Sequence, residues 1–153
     1  MTTYPIYQVD AFANQVFSGN PAAVVLLPKA LPDSILQAIA GENNLSETAF
    51  VRMDTSPFQL RWFTPTTEVA LCGHATLAAA WVLFEKENLG QGELIFDTLH
   101  SGKLSVSKAE NGLLILDFPA DDLTAGFIEP RYGAALGSQP IKAIKGKTDL
   151  MLV

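Results

Sequence analysis

The sequence predicts an α+β fold in which a mixed, mainly antiparallel sheet curls around one central buried helix. Three observations predict it. Residues 74–84 are almost all Ala, Leu, Val, Trp and Phe, and a helix that is apolar all round must be surrounded by protein. Residues 93–98, 103–108 and 113–118 read as strands separated by Ser101-Gly102 and Asn111-Gly112. An Asn-Gly pair between apolar runs is a strong hairpin signal. These strands follow one another with no helix between them, which is unlike an alternating βαβ chain.

The remaining elements follow in order. Residues 4–9 alternate loosely and form a first strand. Ser18-Gly19-Asn20-Pro21 is a turn, because Gly and Asn tolerate positive φ and Pro fixes its own. Residues 22–27 form a short apolar strand that stops at Pro28. A helix over 33–40 has Asp33 as its capping residue, Ile35, Leu36 and Ile39 as its apolar positions, and Gly41 as its stop. Strands at 48–53 and 58–63 are joined through Asp54-Thr55-Ser56-Pro57. In the second of these, Phe58, Leu60 and Trp62 share one face, and Gln59, Arg61 and Phe63 share the other. The central helix should run from about His74 to Asn88, with Gly90 beyond it and Leu77, Trp81 and Phe84 largely buried. Pro119 ends the meander. Residues 121–137 read as a connector rich in Gly, Ala and Asp, and residues 141–144 and 149–153 as further strands. The predicted organisation is a first domain over 1–119, followed over 120–153 by a connector and the start of an incomplete second domain.

Composition sets the outer bounds. The 153 residues suffice for about one domain. At 48% hydrophobic and 17% charged, the chain can build a core rather than remain disordered. Its net charge is −6 and no basic cluster offsets it, which argues against nucleic acid or an anionic membrane as a partner. The single cysteine, Cys72, permits no internal disulfide, so a reducing, cytoplasmic compartment is expected. The first nine residues carry no basic region or apolar stretch of signal-peptide length. The longest nearly apolar run, 75–84, is far short of the ~18 residues of a membrane helix.

Two segments hold candidate chemistry. Cys72-Gly73-His74 opens the central helix, where unpaired N–H groups favour a carboxylate or phosphate and Gly73 lets a ligand approach the backbone. The same residues also read as a tight packing position, a small core cysteine and a capping histidine, and sequence alone leaves both readings open. A thiolate mechanism at Cys72 has the helix dipole in its favour, but near neighbours seldom face each other well. A zinc site would have one cysteine, and the other histidine, His100, falls in a turn. Glu47, at a helix-to-strand junction beside Leu45, Ala49 and Phe50, is either a solvent-facing strand start or a general base with a perturbed pKa. Glu68 is a weaker candidate of the same type.

Longer blocks carry a resemblance. Asp10-Ala11-Phe12 is followed by Ser18-Gly19-Asn20-Pro21-Ala22-Ala23-Val24, then by Asn44-Leu45-Ser46-Glu47-Thr48-Ala49-Phe50. The last block is Phe63-Thr64-Pro65-Thr66-Thr67-Glu68-Val69-Ala70-Leu71-Cys72-Gly73-His74-Ala75-Thr76. In order and spacing these resemble the N-terminal half of the phenazine-biosynthesis PhzF-like isomerases. That family has the diaminopimelate-epimerase-like fold, two similar halves each built as a curled sheet around a helix. The resemblance implies that Glu47 is the acid/base glutamate that moves a proton between carbons. It implies that Gly73 and His74 hold the substrate, and that Asn20 lies near the same cleft. It also implies that Cys72, near where epimerases of this fold keep a catalytic cysteine, is not the base.

The family's members are nearly twice as long, and their second half completes the cleft with an aspartate and further polar groups. The expectation is therefore an isomerase acting on a small carboxylate-bearing substrate, or the N-terminal half of one. It would work without metal or organic cofactor, because a proton moves without redox change. Either the chain is a fragment or truncated product of such an enzyme, or a second copy or a second polypeptide supplies the other half. The alternative is a truncated, non-catalytic module that binds a ligand or partner.

Overall fold

The computed structural model describes residues 3–15, 17–90, 92–147 and 149–153. It divides into two units, Met1–Phe118 and Pro119–Val153. The first contains β1 (Ile6–Ala11), β2 (Asn20–Leu27), α1 (Asp33–Asn43), β3 (Glu47–Arg52), β4 (Phe58–Phe63), β5 (Glu68–Val69), α2 (Gly73–Glu85), β6 (Glu93–Thr98), β7 (Gly102–Lys108) and β8 (Leu114–Asp117). The second contains β9 (Thr124–Ala125), α3 (Pro130–Leu136), β10 (Ala143–Lys145) and β11 (Leu150–Leu152).

In the first unit the strands form one curled sheet in the order β1-β2-β3-β4-β6-β7-β8, with β5 also on β4. Only β2 with β3 and β4 with β6 run parallel. β5 and β6 share one edge of β4: Trp62 and Phe63 pair with β5, and residues 58–60 pair with β6. The sheet buries both faces of its central strands, as the alternation in β4 predicts. Val24, Ala49, Val51, Leu60, Trp62, Phe96 and Val106 point toward α2. Val25, Leu27, Phe50 and Phe63 point the other way and pack on Leu36 and Ala40 of α1. Phe50 and Phe63 meet edge to face, 5.6 Å between centroids.

Arg61 ties the outer layer together. Its guanidinium donates two hydrogen bonds of 2.7 Å to the Glu68 carboxylate and one of 2.7 Å to Asp33. This bidentate geometry suits arginine and not lysine. It joins β4, β5 and the start of α1, and it holds the Asp33 carboxyl below its ordinary pKa.

Three local expectations change in the structure. Asp33 spends its carboxylate on Arg61 instead of capping α1, whose N-cap is Pro32. Gly41 lies inside α1, and the helix ends at left-handed Asn44 (φ 50°). β2 starts two residues early and includes Pro21, which is tolerated because the pairing with β3 begins only at Ala22.

The central helix is less enclosed than its composition predicts. It ends at Glu85, because Asn88 turns left-handed and the Leu89 N–H closes on the Leu83 carbonyl. Phe84 is buried, but Leu77 is half-buried and Trp81 is 37% exposed. The reason is that β1 and β8 end the sheet without pairing to each other. Leu77 and Trp81, one turn apart, line a groove of about 720 Å³ with Gln8, Asp10, Leu114 and Leu116.

In the second unit, β11, β10 and β9 form an antiparallel sheet. α3 begins with Pro130 in its first turn and ends at left-handed Gly137. β9 and α3 occupy the stretch read from sequence as a connector. No described helix is long and apolar enough to cross a membrane.

Candidate active site

Glu47 is the first residue of β3, in register with Ala22 of β2. The turn before it is set by left-handed Asn44, and Asn43 Nδ2 donates to Thr48 Oγ1 at 3.1 Å. Alternation along β3 puts Glu47 on the same face as Ala49 and Val51, toward α2. Asn20 opens β2 next door, two residues before Ala22 and on the same face by the same alternation. The two residues therefore head adjacent parallel strands.

α2 brings its N-terminus to this place. Cys72 is its N-cap, with extended backbone (φ −147°), and its carbonyl accepts from the Thr76 hydroxyl at 2.6 Å. No side chain caps the first turn, and no acidic residue sits there. The helix N–H groups and dipole are thus directed at any anion that enters. A Cβ at Gly73 would meet only the ring edge of Phe118, at an ordinary 3.5 Å. Core packing therefore does not demand glycine here. Gly73→Ala is expected to leave stability within about 1 kcal/mol in thermal unfolding. A loss above ~2 kcal/mol would show a packing requirement instead.

The decisive geometry concerns one imidazole. His74 is 9% exposed, and its two ring nitrogens face different groups. Nε2 lies 3.2 Å from Oε2 of Glu47, whose side chain is 20% exposed. The two atoms are at ion-pair distance but are not aligned as a hydrogen bond, and each is buried with no hydrogen-bond partner among the described residues. On the opposite side, Nδ1 lies 3.4 Å from the Cys72 sulfur. The donor atoms of the three residues lie within 4.8 Å of one another.

Burial pushes the Cys72 thiol up to about 11 against the lowering pull of the Ala75 amide, with smaller contributions upward from the nearby Glu47 and downward from the His74 amide. The thiol is therefore protonated at neutral pH. Alkylation of Cys72 by iodoacetamide is expected to be slow at pH 7–8 and to accelerate as pH climbs toward 11. Rapid labelling at neutral pH would restore a thiolate to the chemistry.

Sequence reasoning set Cys72 aside because neighbouring side chains seldom meet. The structure brings it to His74 because the extended N-cap turns it out of the helical screw. Glu68 and His100 lie elsewhere: Glu68 is bound to Arg61, and His100 sits in the β6–β7 turn.

Comparison with known proteins places the chain. Residues 9–126 match the phenazine biosynthesis-like protein family, PhzC-PhzF. The chain belongs to that family. It is 48% identical over 147 residues to an uncharacterized isomerase of Pseudomonas aeruginosa, covering 96% of this chain and 55% of that protein. It is 46% identical over 156 residues to the mouse phenazine biosynthesis-like domain-containing protein 1, covering 95% and 54%. The crystal structure of a PhzF-family protein from Enterococcus faecalis superposes with a TM-score of 0.87 at 49% identity, covering 99% of this chain and 57% of that one. This PhzF-family chain thus spans about half the length of the relatives it matches. Its first unit has the α+β, diaminopimelate-epimerase-like arrangement of a mixed sheet curled around a helix.

Proposed function

We propose that this chain carries the proton-transferring half of a cofactor-independent isomerase. The observation that supports it most is the Glu47 carboxylate, with a buried oxygen that has no hydrogen-bond partner among the described residues, placed beside His74 at the uncapped start of α2. A small substrate sets its carboxylate against the first N–H groups of α2, where Gly73 leaves the backbone open. Glu47 takes a proton from an adjacent C–H, and the electron pair spreads into the substrate. The same carboxyl returns the proton to another carbon, so Glu47 ends as it began and nothing is oxidised. Charge that builds up on the substrate carboxylate strengthens its bonds to the helix N–H groups in the transition state. His74 and Asn20 hold the substrate against Glu47.

In this reading the working unit contains a second half that closes the cleft. The names of the relatives as isomerases support the class. The free, buried Cys72 agrees with action in the cytoplasm. The test is solvent deuterium incorporation into a panel of small amino- and hydroxycarboxylic acids. The enzyme is this chain fused to the C-terminal half of the Pseudomonas aeruginosa relative, beside the chain alone. Exchange by the fusion supports the reading. Exchange by neither, with the fusion folded, would leave the ligand-binding module as the better account.

A further inference from the structure

We propose that Cys72 is a positioning residue: its thiol donates to Nδ1 of His74 and thereby holds the imidazole as the tautomer whose Nε2–H faces Glu47. In a neutral imidazole one nitrogen donates and the other accepts, and the hydrogen bond made by one decides what the other presents. Here the two nitrogens have different neighbours. Nδ1 faces a sulfur at 3.4 Å, and Nε2 faces a carboxylate oxygen at 3.2 Å. An ionised carboxylate can only accept. With the proton on Nδ1, the lone pair of Nε2 would be turned against the buried Glu47 oxygen. With the proton on Nε2, both contacts become favourable. The high thiol pKa agrees with this, because a thiol that keeps its proton can donate it.

The consequence rests on the reading of Glu47 as the proton carrier. The Nε2–H faces the Glu47 carboxylate, and it remains a donor for a substrate oxygen entering between the two side chains. Cys72 acts only through His74. The thiol neither attacks the substrate nor carries the transferred proton.

The test reads the tautomer directly and needs no substrate, so it can fail while the isomerase reading stands, and the reverse. The 153-residue chain is labelled with ¹⁵N, and its imidazole nitrogens are recorded by long-range ¹H–¹⁵N correlation at pH 8. His100 is identified through the His100→Gln variant. The expected result is His74 as the Nε2–H tautomer in the wild type. In Cys72→Ala it should shift to a mixture or to Nδ1–H, and in Cys72→Ser it should return, because a hydroxyl can donate in the same place. A wild-type Nδ1–H tautomer would overturn the proposal, and that single spectrum decides even if a variant fails to fold. An unchanged Nε2–H tautomer in a folded Cys72→Ala variant would overturn it as well.

Discussion

Glu47→Gln in the fused enzyme is expected to lower deuterium incorporation by roughly 10²–10⁴-fold, the usual contribution of a positioned acid/base group. Glutamine keeps the size and polarity of the side chain but cannot accept and return a proton. Glu47 is the first residue of β3, and its side chain serves no salt bridge of the outer layer. The fold should therefore survive, with thermal unfolding changed by less than about 1 kcal/mol. Binding of a carboxylate to the start of α2 should persist. Cys72→Ala should cost far less activity, since its effect passes through the orientation of His74. If Cys72→Ala abolished exchange and Glu47→Gln did not, the proton carrier would be the thiol and the mechanism would be wrong.

The largest effect on stability is expected at Trp62. Its side chain is 2% exposed and lies in the cluster that joins the sheet to α2. Trp62→Ala should cost about 3–5 kcal/mol in urea unfolding, through lost burial and the cavity left behind. Trp62→Phe should cost much less, within about 1.5 kcal/mol of wild type. The buried indole N–H has no hydrogen-bond partner among the described residues. Phenylalanine removes that unsatisfied donor, which offsets part of the lost volume. A Trp62→Phe variant as damaged as Trp62→Ala would mean that the N–H is bonded after all.

The sheet was legible in the sequence wherever one strand carried a clear alternation. In β4, Leu60 and Trp62 were separated from Arg61 and Phe63 by period alone, and they enter two different clusters. The Asn111-Gly112 turn was equally plain, with Gly112 at positive φ and the Asn111 side chain accepting from Leu113 N–H. Short elements were not legible. β5 is two residues long and exists because the edge of β4 is unoccupied there. α3 has seven residues and no buried side chain, so it lacks the apolar stripe that identifies a helix. The openness of the sheet could not be read either. The apolar surface of α2 is the same whether the last strand closes on the first or stops short. In the site, Glu47 and His74 were named through the resemblance, and no local pattern places residues 27 apart within 3.2 Å. The link from Cys72 to His74 depended on an extended N-cap, a backbone detail that Cys-Gly-His does not announce.

The position of Glu47 has a bearing on how such a protein diversifies. It heads β3, flanked by β2 and β4, in a strand whose two faces feed two separate clusters. A shift of the β3 backbone would disturb both clusters, so the proposed reactive group is tied to a constrained part of the chain. The described residues of the β1–β2 loop lie outside both clusters, although Gly19 is fixed by its positive φ and by the Ala11 carbonyl, which a Cβ there would strike. The loop carries Phe12 and Phe17, both open to solvent, and it leads into Asn20. Mutational drift can accumulate there without threatening the core. On the proposed reading, descendants of this scaffold can keep one proton-transfer step while exchanging the molecules on which they perform it.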